Sequence, residues 1–201
     1  MSMSKRYEFW VLLLPLVYWA FIWGYFYKIL PTASASVSDE RDLIPLTTVI
    51  IGVAYLAGSV VWNKVATWVN NTVCIVLQSL MLLASLVISV LIFPKTAAAQ
   101  LVKTGTGNTY LEPNSVYVIV ICTLIGLSDS GISIIFYTVS GVIFGKGTSL
   151  GYAVVNNVFY IFYVVSMFTP SLFDLHTYCY ITGVAVLVMC FAITVGLRKF
   201  I

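Results

Sequence analysis

The sequence predicts an all-α, polytopic membrane protein with six transmembrane helices, and two observations carry that prediction. Of its 201 residues 61% are hydrophobic and 8% are charged, with a mean hydropathy of +1.02; a soluble chain of this size would have to make its surface of oil. The apolar residues also fall in six runs, at about 9–30, 44–62, 72–93, 116–144, 150–168 and 177–197, each near the roughly 20 residues that a helix needs to cross a bilayer core. Only the connections 31–43 and 94–115 are long enough to form small structures, so residues 1–201 read as one membrane domain with no soluble unit.

The first run follows Lys5-Arg6 and precedes Ala33-Ser34-Ala35, which has the look of a small-residue cleavage site. The stretch from Phe9 to Leu30 exceeds the roughly 7–15 residues of a signal-peptide core and is studded with Trp and Tyr, so a retained helix is expected. Tyr18 and Tyr25 lie two turns apart on one face, either as packing or as cavity lining. Other aromatics of this run, with Trp62, Trp68, Tyr110, Tyr178 and Tyr180 near span ends, fit an interfacial belt.

In the second run Gly52, Tyr55, Ser59 and Trp62, with Gly58 beside them, form a small-residue packing surface. The third carries a polar stripe of Asn71, Cys74, Gln78, Met81 and Ser85. The fourth carries Cys122, Gly126, Asp129, Ser130, Ser133, Tyr137 and Ser140 at three- and four-residue steps, with Ile132, Ile135, Val139 and Val142 lying away from them. The fifth repeats the pattern with Tyr152, Asn156, Tyr160 and Tyr163. Such stripes face protein or cavity, because lipid cannot satisfy them. The polar interior is therefore expected mainly from the third, fourth and fifth spans. The sixth span follows a connection holding Asp174 and His176.

Asp129 stands out. An ionised carboxylate at a bilayer centre costs roughly 2.5 to 3.5 kcal/mol, so something offsets the charge or uses it. One use is coupling: in a polar cavity a carboxylate takes up a proton or coordinates a cation as access alternates. The alternative is structural, an Asp protonated or bonded by Tyr or Asn that ties the fourth span to the fifth. Ser130, Ser133, Asn156, Asn157, Tyr160, Gln78 and Tyr18 are the accompanying candidates for a substrate path. Gly126, Gly131 and Gly141 allow close helix approach or bending.

Other chemistries find little support. Gly126-Leu-Ser-Asp129 loosely follows the Gly-x-Gly-Asp element of intramembrane aspartyl proteases, but those need a second carboxylate, and no other acidic residue lies inside a run. Asp174 and His176 have no obvious nucleophile. There is no phosphate-binding loop, zinc signature or heptad, hence no expected cofactor, metal or enzymatic activity. No basic patch invites nucleic acid. Cys74, Cys122, Cys179 and Cys190 sit in or beside the runs as small hydrophobes. Asn70-Asn71-Thr72 is a glycosylation sequon expected to go unused.

Charge sets the orientation. With a cytoplasmic N-terminus, Lys5, Arg6, Lys64, Lys146, Arg198 and Lys199 lie inside, while Lys28, Arg41, Lys95 and Lys103 lie outside among Asp39, Glu40, Asp42, Glu112 and Asp174. The positive-inside rule then places both termini in the cytoplasm.

From about Cys122 to Ala185 the residues resemble the last three helices of the Unc-93-like family, a divergent branch of the major facilitator superfamily. The likeness rests on a Gly-x-x-Asp-small element at Gly126 to Ser130 and a Gly-x-x-Phe ending with a Gly/Ser turn from Gly141 to Gly151. It also rests on an aromatic-and-Asn helix opening Gly-Tyr-Ala, and on Ser171 to His176 before the last span. The first three runs, opening Leu13-Leu-Pro-Leu-Val-Tyr18, resemble the family's seventh to ninth helices more weakly. The resemblance implies one six-helix half of a twelve-helix facilitator fold, with a homodimer or a partner membrane protein supplying the other half. The loop Gly58 to Lys64 lacks the Asp and Arg of the superfamily's gating motif. What the resemblance implies about function is a facilitator-like protein that moves, or regulates the movement of, a small solute or ion. The second implication is a non-transporting accessory subunit or trafficking chaperone of an ion channel or receptor.

Overall fold

The computed structural model describes residues 7–35, 43–98, 109–112, 114–144, 148–168 and 172–196. Lys5, Arg6, Asp39, Glu40, Arg41, Asp42, Lys103, Lys146, Arg198 and Lys199, the turn residues Gly145 and Gly147, and Ser171 lie outside the described residues. Among the described residues the structure is all-helical, with six helices long and apolar enough to span a bilayer.

The first span is compound. It runs as an α-helix over Tyr7–Gly24, widens into a π turn at Tyr25–Ile29 and resumes as α-helix over Leu30–Ser34. The second span is Leu43–Trp68, the third Asn71–Ile92, the fourth Ser115–Phe144, the fifth Thr148–Phe168 and the sixth Leu175–Phe191, which ends in a π turn at Ala192–Gly196. Side chains cap several of these helices. Asn70 accepts from the Thr72 amide at 3.0 Å, so the sequon residue is the N-cap of the third span. Asn114 accepts from the Val116 amide at 2.9 Å at the start of the fourth.

The spans are arranged as two triplets related by exchange. The second packs on the fourth as the fifth packs on the first, the third packs on the fourth as the sixth packs on the first, and the third meets the sixth. Burial follows the same pairing: over the most apolar 18 residues of each span, 56% and 67% are buried in the first and fourth, 22% and 22% in the second and fifth, 44% and 39% in the third and sixth. A triplet contains an odd number of crossings, so this exchange of contacts is the pattern that an inverted repeat would give.

Several sequence expectations are corrected here. The second span extends to Trp68, which makes Gly58 to Lys64 helix rather than loop. Its packing face is Ile51, Ala54, Gly58 and Trp62, whereas Gly52 is exposed with open space beside it. The expected small-residue surface shares Gly58 and Trp62 with this face, while Tyr55 and Ser59 are half-buried at its edge. Trp62 and Tyr178 are not belt residues: both are buried, with hydrogen bonds to the Leu127 and Phe21 carbonyls at 2.6 and 3.4 Å. Trp68, Tyr110 and Tyr180 are exposed near span ends, where a belt would lie.

On the fourth span Ile132 and Val139 are buried and Tyr137 is exposed, against the expected division. That helix is central, flanked by the second and third spans, so it buries more than one face.

Candidate functional site

The site is built around Asp129, the sole carboxylate within the bilayer-length stretches Leu12–Ser34, Ile44–Trp68, Asn71–Ile92, Ser115–Phe144, Gly151–Phe168 and Leu175–Val195. Its side chain is 1% exposed. Trp19 and Trp23 stand one helical turn apart on the first span and therefore share a face. Both indole N–H groups donate to the same carboxylate oxygen, Oδ1, each at 2.8 Å. The second oxygen, Oδ2, is buried without a protein hydrogen bond. Asp129 has no basic partner among the described residues.

Rings hold the indoles in place. Trp19 stacks on Phe136 at 4.9 Å and 14° and leans on Phe159 at 4.6 Å. Trp23 meets Phe159 edge-on at 4.9 Å and 90°, and Tyr163 at 5.9 Å and 88°. Asp129 is thus tied to the first span, with the fifth supplying the ring of Phe159. This corrects the expectation that Tyr or Asn of the fifth span would hold the carboxyl.

Outward of the carboxylate the first, second, fourth and fifth spans present tyrosines. Tyr27, Tyr55 and Tyr137 lie within electrostatic range of one another or of Asp129, and Tyr160 and Tyr163 adjoin them. Tyr27, Tyr137 and Tyr160 are exposed on the six-helix unit, and Tyr55 and Tyr163 are half-buried. The Tyr137 hydroxyl donates to Asn156 Oδ1 at 3.3 Å, and the Tyr152 hydroxyl donates to the Tyr137 carbonyl at 3.2 Å. Each tyrosine here carries a polar group on a helix face that hydrocarbon cannot hydrogen-bond.

The remaining candidates occupy several places. Ser133 donates to the Asp129 carbonyl and Ser130 to the Leu127 carbonyl, both at 2.8 Å, and both side chains are buried. Asn156 is half-buried beside Tyr137, whereas Asn157 and Tyr160 face outward. Tyr18 is half-buried against the core, and its supposed companion Tyr25 is fully buried, donating to Ser89 Oγ at 2.5 Å. Gln78 is buried on the opposite flank of the fourth span, between it and the third.

Gly126 and Gly131 are close-approach positions. A methyl at Gly126 would collide with the Ile51 carbonyl and with Ala54, and one at Gly131 would collide with the Gln78 amide. At Gly141 the nearest atom to an added methyl is the Tyr152 hydroxyl at 3.0 Å. The fourth span stays α-helical through all three.

Neither Trp19 nor Trp23 is singled out by helical spacing in the sequence. A usable signal was present: two single-donor side chains four residues apart, in a run with few other donors at that depth. Away from the site, His176 is buried and its Nε2–H donates to the Phe93 carbonyl at 3.0 Å, tying the sixth span to the end of the third. Asp174 caps the sixth span through Thr177, whose hydroxyl hydrogen bond holds the carboxyl below its ordinary range. The cysteines are free, with Cys74, Cys122 and Cys179 buried and Cys190 half-buried. Among the described residues no group of His, Cys, Asp or Glu is placed to hold a metal.

Compared with known proteins, residues 4–194 match the model of a family described as UNC-93, ion channel regulatory protein UNC-93. No curated protein and no solved structure matches the chain.

Proposed function

The chain belongs to the UNC-93 family, and from that premise we propose that it is a multi-pass regulatory subunit that modulates ion movement through a partner membrane protein. The observation that carries this reading is the double indole clamp on Asp129. A carboxyl that is 1% exposed and anchored on one oxygen by two rigid donors is suited to fixing the relative position of the first and fourth spans. Those spans in turn set the tyrosine-rich outer face, which offers hydroxyls and rings to a protein surface rather than to lipid tails. The three-plus-three arrangement supports the further reading that the chain acts as one half of a facilitator-type assembly, completed by a second copy or by a partner membrane protein. Lys5, Arg6, Lys64, Lys146, Arg198 and Lys199 favour cytoplasmic termini.

A transport reading keeps one specific observation in its favour: Oδ2 of Asp129 has no protein partner and offers a place for a proton. The two readings separate experimentally. Purified protein in liposomes is expected to pass no potassium, sodium or proton current alone, while its expression changes the whole-cell conductance of cells that carry their own channels. A pH-dependent flux through the purified chain, abolished by Asp129→Asn in protein that still folds, would overturn the regulatory reading in favour of transport.

A further inference from the structure

A cavity of about 180 Å³ lies between the second, third and fourth spans, away from Asp129. Its lining combines Trp62, Asn63, Asn71, Gln78 and Thr138 with apolar side chains such as Ile135. None of its lining residues is charged. Gln78 is 1% exposed, and its Oε1 has no protein hydrogen bond. Gly131 belongs to the wall, and a methyl there would strike the Gln78 amide, so the missing side chain is what leaves room for it. The Trp62 indole is already engaged by the Leu127 carbonyl and the Thr138 hydroxyl by the Ile134 carbonyl, which leaves Gln78 Oε1 as the buried lining atom without a protein hydrogen bond.

Position narrows the occupant. Asn71 opens the third span, and Gln78 lies seven residues further in, about 10 Å at the helical rise. The cavity thus runs from the membrane interface to roughly a third of the way through a hydrocarbon core of about 30 Å. Asn63, Ala66 and Thr138 are exposed at its rim, so it opens laterally where lipids lie. A phosphate at that depth would meet no cation in the lining, whereas an uncharged hydroxyl pays no such penalty. A hydroxyl both donates and accepts, so it satisfies either end of a carboxamide; the cavity takes the hydroxyl-bearing end beside Ile134, Ile135 and Val139, and the apolar body extends past the exposed rim.

We propose that this cavity binds a neutral lipid bearing a hydroxyl head, of the sterol or diacylglycerol kind, with the hydroxyl on the Gln78 amide. The test uses purified full-length chain in phosphatidylcholine nanodiscs with a photoreactive sterol and, in a separate arm, a photoreactive diacylglycerol. In at least one arm labelling is expected to saturate, to map to the third and fourth spans, and to be competed by the unlabelled lipid. Gln78→Leu, which removes the amide at similar volume, should weaken apparent affinity by about tenfold, the range of one hydrogen bond to a buried group. Ala66→Phe, a change at an exposed rim position, should block labelling and stands as the test if Gln78→Leu fails to fold. The arm that labels identifies the lipid source. Unsaturable labelling in both arms, labelling indifferent to both variants, or equal labelling by a methyl-ether analogue without the hydroxyl would overturn the proposal.

Discussion

Asp129 shows how a single residue changes meaning once its partners are known. Two indole donors on one oxygen hold the carboxyl as firmly as side chains of the first span can, because Trp19 and Trp23 have few rotatable bonds and are wedged among Phe136, Phe159 and Tyr163. Replacement by leucine removes the acceptor and strands both N–H groups, each orphaned donor costing about 1–3 kcal/mol, and its bulkier side chain adds an overpacking cost in the same direction. Asparagine retains a carbonyl oxygen for the indoles, so Asp129→Leu should lower the midpoint of thermal unfolding in detergent well below that of Asp129→Asn. Equal midpoints for the two variants would show that the indoles do not depend on the acceptor. The carboxylate itself was legible in the sequence, because it is the one charged residue in a run of nearly thirty. Its partners were not, since helical spacing reports which residues share a face of one helix and says nothing of which neighbouring helix meets that face at which height.

Whole elements were easier to read than their contacts, for a physical reason: crossing a bilayer imposes length and apolarity on each segment independently of its neighbours. The six runs accordingly match six helices, with shifts of a few residues at most ends and a longer extension in the second span. Packing faces are a pairwise property, and in membranes they are set by small residues as much as by polar ones. The second and fourth spans illustrate this, since Gly126 faces the Ile51 carbonyl and Ala54, and Gly58 faces Ser130 and the backbone of Leu127. Gly126→Ala should therefore force the two helices apart, at a cost of about 1–3 kcal/mol for overpacking. Gly52, on the same helix as Gly58, has nothing within 4 Å of an added methyl. There alanine should be neutral or stabilising by up to about 1 kcal/mol from helix propensity alone. Thermal unfolding of the paired variants checks both signs, and a destabilising Gly52→Ala would mean that the open side of the second span is covered by another protein surface.

At the scale of the molecule, the exchange symmetry of the two triplets explains why the second and fifth spans are the most exposed, with 22% of the most apolar 18 residues of each buried. They are equivalent positions in the repeat, and both contribute to the side on which the tyrosines lie. On the fifth span Asn157 and Tyr160 point outward, Tyr160 being 56% exposed. In a bilayer such a face is either bathed by lipid, leaving amide and hydroxyl groups unsatisfied, or covered by protein. The proposed regulatory role requires the second. A photoreactive phenylalanine analogue at position 160, expressed in cells and irradiated, should yield a discrete protein adduct. If the covering surface is a second copy, the adduct has twice the 22.2 kDa of the chain; if it is another membrane protein, the mass differs and the partner is identified by sequencing the adduct. The same analogue at Val87, which is 58% exposed on the third span, provides the lipid-facing comparison. Protein adducts at position 160 with none at 87 would locate the covered face on the tyrosine side of the molecule. Lipid adducts alone at both positions would leave the six-helix unit without a partner there and remove the basis for a regulatory contact on that side.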